Sequence, residues 1–340
     1  MPVYFYDSDF ENNLKNSSSD EFIFVLLAGT TSVANRPGIS AAGASPELMA
    51  MTPVVDSEII MTGKCLSMRD PPMTPEGIPT PSIVTRASLN MAGISSLVID
   101  AGLERVPAVP YIYSGLGKAN DPAIETALPK FDSAVKLGQY IGSILDGKYR
   151  NIVVGESIPG GTTTSYLVLR ALGFDLMTSS SLPINPEEIK RSLWKEAVKR
   201  KNHFVKPDEA VSEFGDYSMP ISLGIAETTE HSNLILAGGT QMATCSYLAQ
   251  ALKHRIPHLC TTSWVIESSG ETIRKLVPEK FLVKAEIQLD RSRHEGLKMY
   301  EKGHVKEGAG MGAAFMLASS ITGDESGIYG EVDDLYESLL

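Results

Sequence analysis

Two glutamates in this chain have neighbours that an ordinary surface acid does not need. Glu307 lies in Lys306-Glu307-Gly308-Ala309-Gly310-Met311-Gly312, with Gly303 just upstream, so the backbone around it can turn sharply and admit a ligand. A small-residue helix, Ala313–Ser320, is expected to follow, and the positive end of its dipole would favour the ionised carboxylate. An ionised carboxylate accepts protons, so Glu307 suits a general base better than an acid. The competing explanation is an ordinary acid at a helix N-terminus.

Glu156 opens Glu156-Ser157-Ile158-Pro159-Gly160-Gly161-Thr162-Thr163, between the apolar run Ile152-Val153-Val154 and a helix-period segment closed by Gly173. A strand, a Gly-rich turn and a helix start expose backbone N–H groups to an anion. There is no Gly-Lys-Thr as in a Walker A loop and no GxGxxG, so the turn fits one monophosphate, or is a plain strand-to-helix turn. Gly238-Gly239-Thr240 repeats the design after Leu234-Ile235-Leu236. Asn185–Arg200 carries Lys190, Arg191, Lys195 and Lys199, a face that is either solvated or lends one lysine to a phosphate.

The elements needed to position these groups alternate. Apolar runs at Glu21–Thr31, Ser95–Gly102, Asn151–Val154, Ser232–Gly239, His258–Val265 and Phe281–Ile287 read as strands. Helical patterns fill Pro81–Ala92, Phe131–Leu145, Gln241–Leu252 and Ile266–Leu276, while Ser57–Thr62 reads as a further strand. Alternating strands and helices with few hairpin signals predict an α/β fold with a doubly wound, Rossmann-like parallel sheet. Residues 21–290 form the expected phosphate-binding core, and 1–20 with 291–340 a small helical part that carries Glu307. The acidic tail Asp324–Leu340 has Leu335, Tyr336 and Leu339 to dock with. Val205–Met219 is weakly patterned.

A net charge of −11 without a basic stripe argues against nucleic acid. No apolar run approaches the ~18–20 residues of a membrane span, and the polar N-terminus has no signal-peptide pattern. Cys65, Cys245 and Cys260 lack CxxC spacing, as expected of unpaired thiols in a reducing compartment, so a cytoplasmic protein is expected. The histidines (His203, His231, His254, His258, His294, His304) make no zincin pattern, and Gly-x-Ser-x-Gly is absent; neither a metal nor a serine nucleophile is expected.

Gly155-Glu156-Ser157-Ile158-Pro159-Gly160-Gly161-Thr162-Thr163 resembles the Gly-Glu-Met-Gly-Ile-Gly-Asn-Thr-Thr stretch of the nicotinate-nucleotide–dimethylbenzimidazole phosphoribosyltransferases of cobalamin lower-ligand synthesis. The similarity continues through Gly238-Gly239-Thr240-Gln241-Met242-Ala243 and Lys306-Glu307-Gly308-Ala309-Gly310-Met311-Gly312. It spans roughly Phe22–Ser320 and points to a divergent, archaeal-type branch. Thr30-Thr31-Ser32 replaces the family's Asp-His-Gly, and Gly161 its Asn.

The resemblance implies transfer of the 5-phosphoribosyl group from nicotinate mononucleotide to an aromatic base, dimethylbenzimidazole or a purine such as adenine. It assigns Glu307 as the base and Glu156 as the second active-site acid. Gly160, Gly161, Thr162, Thr163, Gly238 and Gly239 would hold the phosphate, with Lys190 a further candidate, and Ser40 and Met311 would border the base. It implies no cofactor and a homodimer. A nucleotide-binding protein without turnover is the alternative from another class. A nicotinamide-linked oxidoreductase needs a strand before its glycine motif, and none precedes Gly308.

Overall fold

The computed structural model describes residues 3–201 and 206–340; His203 and the rest of 202–205 lie outside the described residues. Seven strands form one sheet: β1 (Val3–Phe5), β2 (Phe22–Ala28), β3 (Ser95–Asp100), β4 (Asn151–Ser157), β5 (Asn233–Ala237), β6 (His258–Thr262) and β7 (Leu282–Ala285). Their spatial order is β1-β7-β6-β5-β4-β2-β3. Every neighbouring pair is parallel except β1 with β7, where Tyr4 faces Lys284.

A parallel strand covered on both faces must be apolar throughout, and all seven residues of β2 are buried. Its side chains alternate: Ile23, Val25 and Leu27 enter one core cluster, while Phe22, Phe24 and Leu26 enter the other. Helices Phe131–Leu145, Gly161–Ala171, Ser218–Thr228 and Thr240–Ala251 cover the first face. Helices Ser8–Lys15, Pro46–Thr62, Ser82–Ala92, Met311–Thr322 and Glu325–Ser338 cover the second. The doubly wound α/β expectation therefore holds, with one antiparallel edge strand that the sequence did not suggest.

Segments 3–20 and 291–340 pack on this same sheet. β1 extends its edge, and Phe315, Ile328 and Val332 join the second core cluster. Tyr336 and Leu339 of the tail are buried.

Two expected elements differ. Ser57–Thr62 is not a strand but the last part of helix Pro46–Thr62, with Ser45 capping Leu48 N–H and Gly63 left-handed at its end. Pro207–Phe214 and Ser218–Thr228 are helices where little pattern was legible.

From β2 the chain runs outward to β3, then returns across β2 to form β4 on the other side. The sheet order thus reverses between β2 and β4, which leaves a crevice beyond their carboxyl ends. Those ends are level, with Ala28 opposite Ser157. Thr30-Thr31 follows on one side and Gly160-Gly161 on the other.

Candidate active site

A cleft occupies this crevice, with about 950 Å³ of open space counted together with the solvent in its mouth. β4 delivers Glu156 to its floor, and the following turn supplies Gly160, Gly161 and Thr162. Gly160 is left-handed (φ 86°) and caps the helix that starts at Gly161. A side chain at Gly160 would also collide with Thr31 Oγ1, which donates to the Pro159 carbonyl at 2.8 Å. The turn is thus shaped from both sides of the topological switch.

The opposite wall is the loop that carries Glu307. Val305 (φ 61°), Lys306 (φ 69°) and Ala309 (φ 51°) all occupy the left-handed region, which is unusual for residues with a Cβ and most so for β-branched Val305. Several bonds hold this conformation. Thr262 Oγ1 donates to Lys306 O at 2.6 Å, Ala309 N–H to Glu156 O at 2.9 Å, and Val305 N–H to Ser181 O at 2.9 Å. Thr85 Oγ1 donates to Ala309 O at 3.0 Å.

Glu307 Oε1 accepts from Gly308 N–H at 3.1 Å and Gly312 N–H at 3.2 Å. Its Oε2 is buried and meets no donor among the described residues. Burial pushes the Glu307 carboxyl up to about 7, against the pull of the backbone N–H groups. This corrects the expectation of a plainly ionised acid: desolvation outweighs the dipole, so near neutrality the group exchanges its proton readily. Glu156 is raised too, first by burial and then by the Asp216 charge, while Ile158 N–H donates to its Oε2 at 2.9 Å.

The lining of the cleft combines two chemically different sets of groups, taken here as its two ends. Around Glu307 and Glu156 stands a third acid, Asp56, which accepts from Thr80 Oγ1 and Ser157 Oγ at 2.6 Å each. This end suits a cationic or proton-donating ring. The other end gathers Gly160–Thr162, Ser179–Ser181, Gly239 and Lys306, a set of N–H groups, hydroxyls and one ammonium that suits an anion.

The sequence candidates fall into two groups. Ser40, Glu156, Gly160, Gly161, Thr162, Gly239 and Glu307 line the cleft. Thr163 is wholly buried, and its Oγ1 has no partner among the described residues. Gly238 lies behind the wall, where a Cβ would meet Met242. Met311 is fully buried in the second core cluster, its helix having turned it away from the cleft.

Lys190 is not solvated and does not reach the cleft. Its buried amino group, whose pKa burial lowers to about 7, lies in donor range of Thr178 O (3.2 Å), Thr178 Oγ1 (3.2 Å) and Ser179 O (2.7 Å), and so holds the back of the Ser179–Ser181 loop. Lys306 holds the same loop from the cleft side, through Ser180 O and Leu182 O at 2.9 Å each. Asp56, Ser179–Ser181 and Lys306 went unmarked as site residues. The only signals were an acid inside the apolar run Val54-Val55-Asp56 and three consecutive serines.

Among the described residues, no group of three or more His, Cys, Asp or Glu side chains is arranged to hold a metal ion, and no helix is long and apolar enough to cross a membrane.

No protein-family model matches the chain. It is similar to a UPF0284 protein of Thermoplasma volcanium, 44% identical over 330 residues that cover 97% of each chain. A UPF0284 protein of Thermoplasma acidophilum is 43% identical and covers 95% of each. One from Thermococcus gammatolerans is 37% identical over 94% of this chain and 99% of its own. Among solved structures, a nicotinate-nucleotide-dimethylbenzimidazole phosphoribosyltransferase from Thermus thermophilus superimposes with a TM-score of 0.56 at 18% identity, covering 88% of this chain and 82% of that one. CobT from Thermus thermophilus gives 0.58 at 17% identity, covering 91% and 85%. At such low identity the likeness is one of fold.

Proposed function

The chain belongs to the UPF0284 family, and on the fold it shares with those transferases we propose that it is a phosphoribosyltransferase acting on nicotinate mononucleotide and an aromatic base. The observation that carries this most is the pairing, in one cleft, of the unsatisfied Glu307 Oε2 with lining groups that suit an anion.

The donor's phosphate would rest on Gly160–Thr162, Gly239 and Ser179–Ser181, with Lys306 beside it. Its nicotinate ring and C1 would lie toward Glu156. A nitrogen of the accepting base attacks C1, the bond from C1 to the nicotinate nitrogen breaks, and that ring leaves neutral. The N–H proton of the attacking base passes to Glu307, whose carboxylate is matched to this task by its raised affinity for protons. The negative charge of Glu156, when present, stabilises the positive charge that develops on the ribose. Nothing in these steps asks the protein for a strong acid, because the leaving group needs no proton.

Lys306→Met is expected to raise the KM for nicotinate mononucleotide by about 10-fold or more, the value of one hydrogen bond to a charged group, with a smaller change in kcat. Steady-state kinetics checks it; an unchanged KM would remove Lys306 from the phosphate end.

A crystal structure of the protein soaked with nicotinate mononucleotide tests the assignment of the two ends. The expected result is the phosphate against Gly160–Thr162 and Ser179–Ser181 with Glu307 facing an empty slot. A phosphate bound at the Glu307 end, or a ligand outside the cleft, would overturn it.

A further inference from the structure

Gln241 is only 2% exposed, yet it lines the cleft. Its Nε2 donates to Asp216 Oδ2 at 3.1 Å and to Ser218 Oγ at 2.9 Å, which uses both amide hydrogens. Asp216, itself buried, also accepts from Ser218 N–H at 3.1 Å, from the Ser218 hydroxyl, and from Thr164 Oγ1 at 2.5 Å. Burial raises the Asp216 pKa while these donors lower it, and the Ser218 hydroxyl, which gives its one proton to Asp216, can only accept from the amide, so the amide nitrogen is the end turned to both groups. The carboxamide is therefore locked in one of its two orientations.

That orientation fixes what Gln241 presents to the cleft. Oε1 meets no donor among the described residues and lies against Gly161; a side chain there would overlap it. This oxygen opens onto the cleft with its acceptor capacity unused, so a ligand hydroxyl placed against it gains a hydrogen bond. The position says which part of the ligand. Gly161 begins the helix after the Gly160 turn, and Gly239 is two residues before Gln241, so the acceptor lies among the groups suited to an anion, with Glu156 close by. A phosphate has no proton to spare at neutral pH, whereas the sugar next to it carries hydroxyls.

We propose that Gln241 is a specificity residue whose Oε1 accepts a hydrogen bond from a ribose hydroxyl of the bound sugar phosphate, and that Asp216 is a positioning residue that keeps this oxygen turned to the cleft. The inference rests on the sugar-phosphate assignment above but not on turnover. Gly161 then has a steric reason to be glycine: it makes room for the Gln241 amide.

The test is calorimetric binding of ribose 5-phosphate, 2-deoxyribose 5-phosphate and 3-deoxyribose 5-phosphate to the full chain. The wild type should bind at least one deoxy sugar about 10-fold more weakly than ribose 5-phosphate, as one lost hydrogen bond implies. Gln241→Met, close in shape but without an acceptor, should abolish the difference by weakening ribose 5-phosphate alone. Asp216→Asn should shrink the ratio while leaving the deoxy sugar's affinity unchanged, an outcome that general loosening of the fold does not give. If Gln241→Met folds poorly, Gly161→Ala disturbs the same amide from the other side and reports on the same ratio.

Equal binding of all three sugars by the wild type, or a preference that survives Gln241→Met, would overturn the proposal. Failure of the wild type to bind any of them would overturn both it and the sugar-phosphate assignment. A ribose preference that depends on Gln241 in a protein that releases no nicotinate would uphold it and refute the transferase reaction instead.

Discussion

Glu307→Gln is expected to lower kcat by about 100- to 10,000-fold, the usual contribution of a general base, while nicotinate mononucleotide still binds. The glutamine oxygen can accept from Gly308 N–H and Gly312 N–H as Oε1 does, so the loop has no reason to move. As the proposed base, Glu307 would work only when deprotonated, so wild-type kcat/KM should rise with pH through about 7, where burial places its carboxyl, and level off above it. The variant should lack that inflection.

The same group has an opposite effect on stability. Its folded value of about 7 lies above its ordinary 4.5, so the folded chain holds the proton more tightly than the unfolded chain. The stabilisation this gives is complete below the ordinary value and is lost as pH climbs through 7. At pH 8 the wild type therefore carries a buried charge that Glu307→Gln lacks. Glu307→Gln should then be the more stable by on the order of 1–3 kcal/mol, and by less at pH 5. Denaturant unfolding at the two pH values measures this; equal stability at both would mean that Glu307 is well solvated.

Gly310→Ala should be the most damaging single methyl group in the loop. Gly310 has φ 73°, and a Cβ there would come within 2.8 and 2.9 Å of the Phe24 ring and 3.2 Å of Ala237 Cβ. Phe24 belongs to the interior strand β2 and is fully buried, so it cannot swing aside. Left-handed backbone costs about 1–2 kcal/mol and overpacking a further 1–3, so a loss of about 2–5 kcal/mol is expected from the unfolding midpoint. Much of the activity should be lost with it, because Gly310 lies between Glu307 and its second backbone donor, Gly312. A variant that unfolds at the wild-type midpoint would contradict this packing.

The strands and their Gly-rich ends were legible because a parallel strand buried on both faces has to be an unbroken apolar run, as Phe22–Ala28 is. The order in which strands pair was not, since no local signal says that β4 returns to the far side of β2. Helix Pro46–Thr62 was misread in part because Val54, Val55, Ile59 and Ile60 are all buried, which erases the one-sided pattern of a surface helix. Its start at Ser45-Pro46 and its end at Gly63 were stated in the sequence all the same. β1 is only three residues long, too short to carry a pattern.

In the site, Glu156 and Glu307 stood out because of their glycine neighbours. Lys190 misled because a helix rich in lysine and arginine looks solvated, and only tertiary structure shows that one of them turns inward to the Thr178 and Ser179 carbonyls. The raised Glu307 proton affinity was equally invisible: the helix that follows it was legible, the packing that desolvates it was not.

The central claim is chemical, and one assay addresses it most directly. Wild-type protein is incubated with nicotinate mononucleotide, with and without dimethylbenzimidazole or adenine, and free nicotinate and the nucleotide product are followed together. The expected result is nicotinate released in step with an α-linked nucleoside 5′-phosphate, only when a base is present, and nearly abolished in Glu307→Gln. Nicotinate mononucleotide that binds but is never consumed with either base, or release that Glu307→Gln leaves unchanged, would contradict it.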